Sequence, residues 1–355
     1  MSHHESTKLG VESRLKELFS AWLHIGEDEV SLTAPGPDAD AFDLVLEACN
    51  YSFLIQLRRS GTLPSVEKAA QRLAEDPNLA NSDADAIPLL VVNYLTPKGR
   101  QICRERGVSW VDLSGNAHID SGSLLIHSEG KANQFKRKTF SNAFGSKGSR
   151  VARLLLMHPS EWFLQKDISD ATGLSEGYIS RIVRSLAQNE LVERKPEGRT
   201  NKIRVQDPEL LLDTWREHYD FQDHRLIKGT VPARSGDQLV HKIAEVLDEV
   251  SMEVAATGLA GAWLYDQFAS FRITTFYIAQ PPNQSVKSAL GFMEEEPGAN
   301  TWFVVPNDRG VFDGKSPVRG ISCVHPVQVF LDLKGHPERA NEAASHLRQQ
   351  HLEWK

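Results

Sequence analysis

The sequence predicts a mixed α/β protein built from several domains, and three observations lead to this. A chain of 355 residues is long enough for more than one domain, at about 100–200 residues each. Strand-like and helix-like runs alternate through residues 1–130 and again through residues 236–355, a pattern typical of α/β domains. Between them lies a compact helical segment with a trailing hairpin. We therefore expect an N-terminal α/β domain, a central helical domain and a C-terminal α/β domain.

The N-terminal segment, residues 1–130, begins with a helix whose apolar residues recur at helical spacing: Val11, Leu15, Leu18, Phe19 and Leu23. Two strand-like runs, Phe42–Glu47 and Ser52–Leu57, then predict a hairpin. The remaining predicted elements are a helix at Val66–Ala74, a strand at Ile87–Tyr94, a helix at Pro97–Gly107, a strand at Val108–Leu113 and a hairpin at Asn116–His127.

The order of elements in residues 41–113 resembles the restriction-endonuclease-like fold. The resemblance places Asp43 at the first metal-binding acid, and it places Gln56 and Arg58 where active members carry Glu and Lys. In active members the acids bind Mg²⁺ and activate water. A neutral amide cannot replace the second acid, and an arginine does not lose its proton at neutral pH. The resemblance therefore implies a degenerate nuclease-like domain with no catalytic residues, no metal and no cofactor.

A second acid pattern leaves an alternative open. Glu129 and Lys131 form another Glu-x-Lys, with Asp112 before it, but three common residues often match by chance. We interpret Asp112 and Asn116 as turn residues instead, because short polar side chains bond to the local backbone.

Charge is distributed unevenly along the chain. The formal net charge is −7, yet the window from Lys131 to Arg204 holds 15 Lys and Arg against 7 Asp and Glu. Residues 131–148 are basic and polar, so we expect a linker anchored by Phe135, Phe140 and Phe144. A basic central segment between two acidic segments predicts that only the central segment binds an anionic partner.

Residues 149–222 contain the strongest pattern. An amphipathic helix with Val151, Leu154, Leu155 and Met157 precedes a short helix at Leu164–Ala171. Gly173 then suits a tight turn, because glycine accepts the positive φ that such a turn needs. Ser175 is a favourable N-cap for a third helix, Glu176–Asn189. Two short strands, Leu191–Arg194 and Lys202–Val205, follow around a cationic turn.

This succession, and the phrase DISDATGLSEGYISRIVRSLAQNELVERKPEGRTNKIRV, resemble the winged helix-turn-helix domains of bacterial transcription regulators. The resemblance implies that the third helix enters the major groove of double-stranded DNA and that the wing contacts the adjacent backbone. Arg181 and Arg184 are three residues apart and share a helix face, from which they can reach base edges or phosphates. The candidate DNA-binding residues are Ser175, Tyr178, Ser180, Arg181, Arg184, Arg194, Lys195, Arg199, Asn201 and Lys202. A winged helix that makes protein contacts is the alternative.

The C-terminal segment, residues 236–355, carries fewer chemical signals. The phrases TGLAGAWLYDQF, TWFVVPNDRGVFDG and HPVQVFLDLKGHPERANEAASHLR resemble the antitoxins of type IV abortive-infection (AbiE) systems. That family joins a winged helix to a C-terminal domain, binds its own promoter and counters a toxin. Before it, His224–Asp237 is interpreted as a polar connecting stretch. We interpret Asp332 as a cap or an ion-pair partner and His325 as a turn residue.

Composition restricts the remaining function classes. The longest apolar runs, such as Ile87–Val92 and Leu154–Met157, are far shorter than the roughly 20 residues of a membrane span. The N-terminal residues lack the apolar stretch of a secretory signal. Cys49, Cys103 and Cys323 lie far apart, so neither a disulfide framework nor a zinc site is expected. We expect a cytoplasmic protein.

Together these patterns predict a sequence-specific DNA-binding transcription regulator, with an antitoxin-like repressor of a defence or toxin–antitoxin locus as its narrower form. The expected partners are double-stranded DNA, a second copy of the chain in a homodimer, and a toxin or other protein. Two alternatives stay open: a metal-dependent DNA nuclease targeted by its winged helix, and an interaction protein that sequesters a partner.

Overall fold

A computed structural model of the chain describes residues 3–35, 42–58, 60–75, 86–135, 143–198, 200–268, 270–295 and 297–354, without the side chains of residues 3–9 and 200. Its helices and sheets confirm the predicted mixed α/β class. The chain divides into two compact units, one comprising residues 1–138 and 188–190 and the other residues 139–187 and 191–355. The segments 149–222 and 236–355 thus lie almost entirely in the second unit. No helix of the described residues is both long and apolar enough to cross a membrane.

The first unit contains, in chain order, α1 (His3–Leu23), β1 (Val30–Thr33), β2 (Leu44–Ala48), β3 (Tyr51–Arg58), α2 (Leu63–Glu75), β4 (Ala86–Val92), α3 (Pro97–Glu105), β5 (Ser109–Asp112), β6 (Ala117–Asp120) and β7 (Leu125–Ser128). The seven strands form one sheet in sequence order. The pairs β3–β4 and β4–β5 are parallel, and the other pairs are antiparallel. The parallel pairs are the ones joined by helices, as a crossover requires.

Two apolar clusters hold this sheet. One includes Leu15 and Phe19 of α1 together with Phe53 and Ile55 of β3. The other joins α2 and α3 to strand residues such as Trp110. Because β4 contributes to both clusters, its sequence is apolar throughout, as that of a buried central strand is.

The second unit begins with the region in which the sequence predicts a helix-turn-helix. Its elements are α4 (Ser149–Met157), β8 (Phe163–Leu164), α5 (Gln165–Thr172), α6 (Glu176–Gln188), β9 (Val192–Glu197), β10 (Thr200–Val205) and α7 (Pro208–His218). Strands β8, β10 and β9 form a three-stranded antiparallel sheet. The predicted helices and hairpin of this region are confirmed to within a few residues. The apolar 3.6-residue period sets the helices, and Gly173, at φ +68°, ends α5.

The rest of the second unit surrounds a larger sheet. Its elements are β11 (Arg225–Thr230), α8 (Gly236–Glu249), β12 (Val254–Thr257), α9 (Gly258–Asp266), β13 (Thr274–Ile278), α10 (Gln284–Leu290), β14 (Met293–Glu294), β15 (Thr301–Val305), β16 (Ser316–Val318), β17 (Ile321–Cys323), α11 (Pro326–Asp332) and α12 (Ala340–His351). The strand order is β14-β11-β15-β13-β12-β17-β16.

One interpretation of the sequence was wrong here. The stretch His224–Asp237, taken as a polar connection, contains β11, which pairs with β15 over five residues. The strand escapes recognition because only Ile227 and Gly229 are buried, while Arg225 is exposed and Lys228 half-buried. Lys228 lies opposite Trp302, so a charged residue occupies a sheet face.

The predicted basic linker is described only in part. Phe140 lies outside the described residues. Phe135 packs against the core of the first unit, and Phe144 stacks on Trp215 of α7 with ring centroids 6.2 Å apart. Both described phenylalanines therefore anchor their ends of the segment, as expected.

Candidate nucleic-acid interface

Helix α6 separates an apolar face from a polar one. Its buried side chains are Ile179, Ile182, Val183 and Leu186, and all four belong to the core of the second unit. The first helical hydrogen bonds run from the N–H groups of Tyr178 and Ile179 to the Ser175 carbonyl. The chain therefore enters the helix at Ser175, whose side chain is exposed.

The opposite face of α6 carries the residues singled out in the sequence. Arg181 and Arg184 are exposed, and Tyr178 and Ser180 are half-buried. The Arg181 guanidinium carbon lies 5.5 Å from the centroid of the Tyr178 ring, a cation–π contact that restrains the arginine. Two arginines one helical turn apart thus stand on a single solvent-facing surface.

The wing is the hairpin of β9 and β10. Lys195 lies directly opposite Lys202, and Arg194 lies opposite Ile203. Arg194 and Lys195 are exposed, whereas Asn201 and Lys202 are half-buried. Arg199 lies outside the described residues. The structure thus places two like-charged lysines side by side on one face of the wing.

Acidic residues balance part of this charge. The Lys202 ammonium lies 2.9 Å from a carboxylate oxygen of Glu197, and the Arg204 Nε donates to Glu193 at 2.7 Å. Arg204 also lies over the ring of Trp162, 4.6 Å from its centroid. The wing therefore carries both cations that are paired with acidic side chains and cations that have no ion pair among the described residues.

Sequence reasoning missed a residue that supports this surface. Arg150 of α4 donates from Nη1 to the Thr172 carbonyl at 2.9 Å, in the turn that leads to α6. Its Nε and Nη2 donate to the two carboxylate oxygens of Asp308 at 2.7 and 2.9 Å. This hydrogen bond to Asp308 is the main reason that the pKa of Arg150 is raised. The signal available in the sequence was weak, namely one of two arginines in a mostly apolar helix.

The proposed nuclease remnant is a cluster in space as well as in sequence. The Asp43 carboxylate accepts a hydrogen bond from the Leu57 N–H at 2.7 Å and lies 3.5 Å from Arg58. Gln56 is buried two residues before Arg58 on the same strand. The three positions of the resemblance are thus neighbours, and Asp43 is the one carboxylate among them.

The second acid pattern forms a different arrangement. Asp112 is fully buried and accepts hydrogen bonds from the N–H groups of Ser114, Asn116 and Leu95. Burial is the main cause of its raised pKa, which these hydrogen bonds oppose. Glu129 pairs with Arg100 at 3.3 Å. These contacts agree with the interpretation of Asp112 and Asn116 as turn residues.

The C-terminal sheet encloses a polar cluster that the sequence did not indicate. Asp332 is fully buried at the end of α11. It accepts hydrogen bonds from Tyr277 at 3.0 Å and Gln328 at 2.7 Å, and also from Tyr219 and Thr257. The interpretation as a cap or ion-pair partner was wrong, because all four donors are neutral. Gln328 lies one helical turn before Asp332, but Tyr219, Thr257 and Tyr277 are at least 55 residues away in the sequence, so no local pattern could reveal the cluster.

His325 does behave as a turn residue. It is the N-cap of α11, where its Nδ1 accepts from the Val327 N–H at 3.2 Å. Within the described part of the chain, no group of three or more His, Cys, Asp and Glu side chains lies close enough to hold a metal ion.

Comparison with known proteins adds no family to this picture. No family model matches the chain, and no curated protein matches it.

Proposed function

We propose that this protein is a sequence-specific DNA-binding transcription regulator, in which α6 reads bases in the major groove and the wing contacts the backbone. The observation that carries the proposal is that α6 has an apolar face and an opposite face that carries arginines. Its apolar face is locked into the core, and Arg181 and Arg184 stand on the opposite, exposed face. An arginine so placed can form a bidentate contact with guanine, which is worth about 1–3 kcal/mol of base discrimination.

The wing supplies the sequence-independent part of the affinity. Arg194, Lys195 and Lys202 suit phosphate contacts, which position a protein on DNA without reading its sequence. A protein that neutralises several phosphates loses affinity with salt, at a slope of about −0.9 per phosphate on logarithmic axes.

Titration of point variants against DNA tests whether α6 reads bases and the wing contacts phosphates. Fragments bound by the full-length protein are first selected from genomic DNA to obtain a preferred duplex. Arg181→Ala and Arg184→Ala are expected to weaken the preferred duplex more than a scrambled one. Lys195→Ala and Lys202→Ala are expected to weaken both duplexes equally and to reduce the salt slope by about one each.

The control is Arg225→Ala, which removes an exposed cation from β11 and should leave both affinities unchanged. If the lysine variants alone alter sequence preference, the wing is the reader and the role given to α6 is wrong. Salt-independent binding would contradict the whole assignment.

A narrower role goes with this proposal. We infer that the protein binds DNA as a homodimer and represses a defence or toxin–antitoxin locus, with the C-terminal sheet available to a toxin or another protein. The similarity of the C-terminal phrases to abortive-infection antitoxins is the support for this role. Co-purification with the product of a neighbouring toxin gene is the observation that tests it.

We further propose that the first unit does not cleave DNA. Its support is the set of Asp43, Gln56 and Arg58, in which the one carboxylate pairs with an arginine and the position of the second acid is an amide. Plasmid DNA incubated with the protein and Mg²⁺ or Mn²⁺ is expected to stay intact. Metal-dependent cutting that disappears in Asp43→Ala would establish the nuclease alternative instead.

A further inference from the structure

A cleft of about 490 Å³ opens beside the C-terminal sheet. It lies between the start of α8 and the face of β11 and β15 that carries Lys228 and Trp302. Its volume falls within the roughly 300–1,000 Å³ of sites that hold small molecules. The cleft is remote in sequence from the candidate DNA-binding residues, and nothing proposed above uses it.

The lining combines an apolar wall with a cationic rim. Leu239, Ile273 and Trp302 supply the wall, and Lys228, Arg234 and Arg272 supply the rim. No acidic side chain lines the cleft among the described residues. A ligand that fits both parts carries a negative group and a flat apolar group.

Each cation is placed by a separate element. Lys228 projects from β11 with its ammonium 5.2 Å from the centroid of the Trp302 ring. Arg272, just before β13, is held by Glu338, which accepts from its Nε at 3.0 Å, while 88% of its side chain is exposed. Arg234 is exposed, and its backbone N–H donates to Gln238. Arginine is the side chain best suited to phosphate, because its planar donors match the phosphate oxygens.

The first turn of α8 adds to this charge. Gly236 lines the cleft at the N-terminus of a 14-residue helix, where the helix dipole favours an anion. In the same turn the Ser235 side chain accepts a hydrogen bond from the Gln238 N–H, and the Asp237 side chain, which does not line the cleft, is exposed. A Cβ at Gly236 would lie 2.3 Å from the Phe271 carbonyl oxygen. Glycine therefore allows the helix to begin in contact with the segment that carries Arg272.

We propose that this cleft binds a nucleoside monophosphate or a closely similar organic phosphate. The phosphate lies among Arg234, Arg272 and the first turn of α8, and the flat ring lies against Leu239, Ile273 and Trp302. A cleft of this size suits one small molecule. The proposal stands apart from DNA binding, and its test uses no DNA.

Calorimetric titration of the full-length protein tests the proposal. The probes are AMP, GMP, CMP and UMP, with adenosine and inorganic phosphate as the matched half-ligands. At least one monophosphate is expected to bind saturably at concentrations below about 5 mM. Its affinity should exceed those of both half-ligands by at least about tenfold, because charge-assisted hydrogen bonds and ring contacts are both required.

Variants at the exposed rim locate the site without endangering the fold. Arg234→Gln and Arg272→Gln are each expected to weaken the bound monophosphate at least about fivefold. Arg225→Gln, which removes an exposed cation from the same sheet outside the cleft, should not change it.

Three results would overturn the proposal. One is the absence of saturable binding by all four monophosphates. Another is an affinity for inorganic phosphate or adenosine equal to that for the nucleotide. The third is a loss of affinity in the two rim variants that is no greater than the loss in Arg225→Gln.

Discussion

At the scale of single residues, Asp332 is a buried carboxyl group enclosed by hydrogen-bond donors. Four neutral donors surround its carboxylate. Gln328 links it to Arg153, whose Nη2 donates to the Gln328 side-chain oxygen at 2.6 Å. Burial raises the pKa of Asp332 to about 6, against the opposing effect of the four hydrogen bonds. Folding therefore favours the protonated acid.

This raised pKa predicts a specific pH dependence of stability. A carboxyl group whose pKa is higher in the folded state stabilises the fold fully below its unfolded pKa of about 3.9, and loses that contribution as pH rises through about 6. Asp332→Asn cannot ionise. Relative to the variant, the native protein should therefore lose up to about 3 kcal/mol of unfolding free energy between pH 4 and pH 7.

Urea unfolding of both proteins at several pH values measures this difference. Using the variant as the reference cancels the contribution of every other titrating group. A difference in unfolding free energy that stays constant over the whole range would show that Asp332 keeps an ordinary pKa.

At the scale of elements, a helix or strand could be predicted where residues close together in the sequence determine it. Helix α6 was predictable because Ile179, Ile182, Val183 and Leu186 mark one face by their spacing alone. Strand β11 was not predictable from its sequence, because two of its residues are charged. Arg225 is exposed to solvent, and Lys228 lies over the ring of Trp302. The same holds for the candidate site. The exposed positions of Arg181 and Arg184 could be predicted from the helical period. The role of Arg150 could not, because it depends on contacts with Thr172 and Asp308, which are distant in the sequence.

The wing offers a prediction in which binding improves. Glu197 forms an ion pair with Lys202 at 2.9 Å, with 49% and 36% of their side chains exposed, and it places a negative charge on the proposed DNA-binding face. Glu197→Gln should tighten binding to both preferred and scrambled duplexes by about two- to fivefold, since an exposed pair is worth about 0.2–1 kcal/mol. Fluorescence anisotropy at about 0.1 M salt measures the change, where surface charges are only partly screened.

The matched control is Glu249→Gln, which removes an exposed acid at the end of α8 and the same unit of charge. Equal gains in both variants would mean that net charge alone is responsible. No gain in Glu197→Gln would place the wing away from DNA.

At the scale of the whole second unit, the helix-turn-helix region and the C-terminal sheet share one core. A single apolar cluster includes Leu155 of α4, Ile179 of α6, Val240 of α8 and Phe330 of α11. Polar contacts cross the same boundary, since Arg153 of α4 is buried against Gln328 of α11. A conformational change in the C-terminal sheet can therefore alter the orientation of α6.

The pair of Arg150 and Asp308 is where this coupling can be measured. Only 8% of the Asp308 side chain and 24% of the Arg150 side chain are exposed, and removing one partner leaves the other charge poorly solvated. Arg150→Met should lower the unfolding free energy by about 2–4 kcal/mol, somewhat less than for a fully buried pair. In a double-mutant cycle with Asp308→Asn, the coupling free energy should be about 1–3 kcal/mol.

The same variants separate stability from DNA binding. Arg150→Met also removes the donor to the Thr172 carbonyl, so it should weaken DNA binding at temperatures where the variant remains folded. Asp308→Asn keeps that donor and should weaken DNA binding less. The exposed pair Arg339 and Glu342 provides the control cycle, in which coupling should be undetectable. Additive effects of Arg150→Met and Asp308→Asn on the unfolding free energy would show that this ion pair does not couple the two parts of the unit.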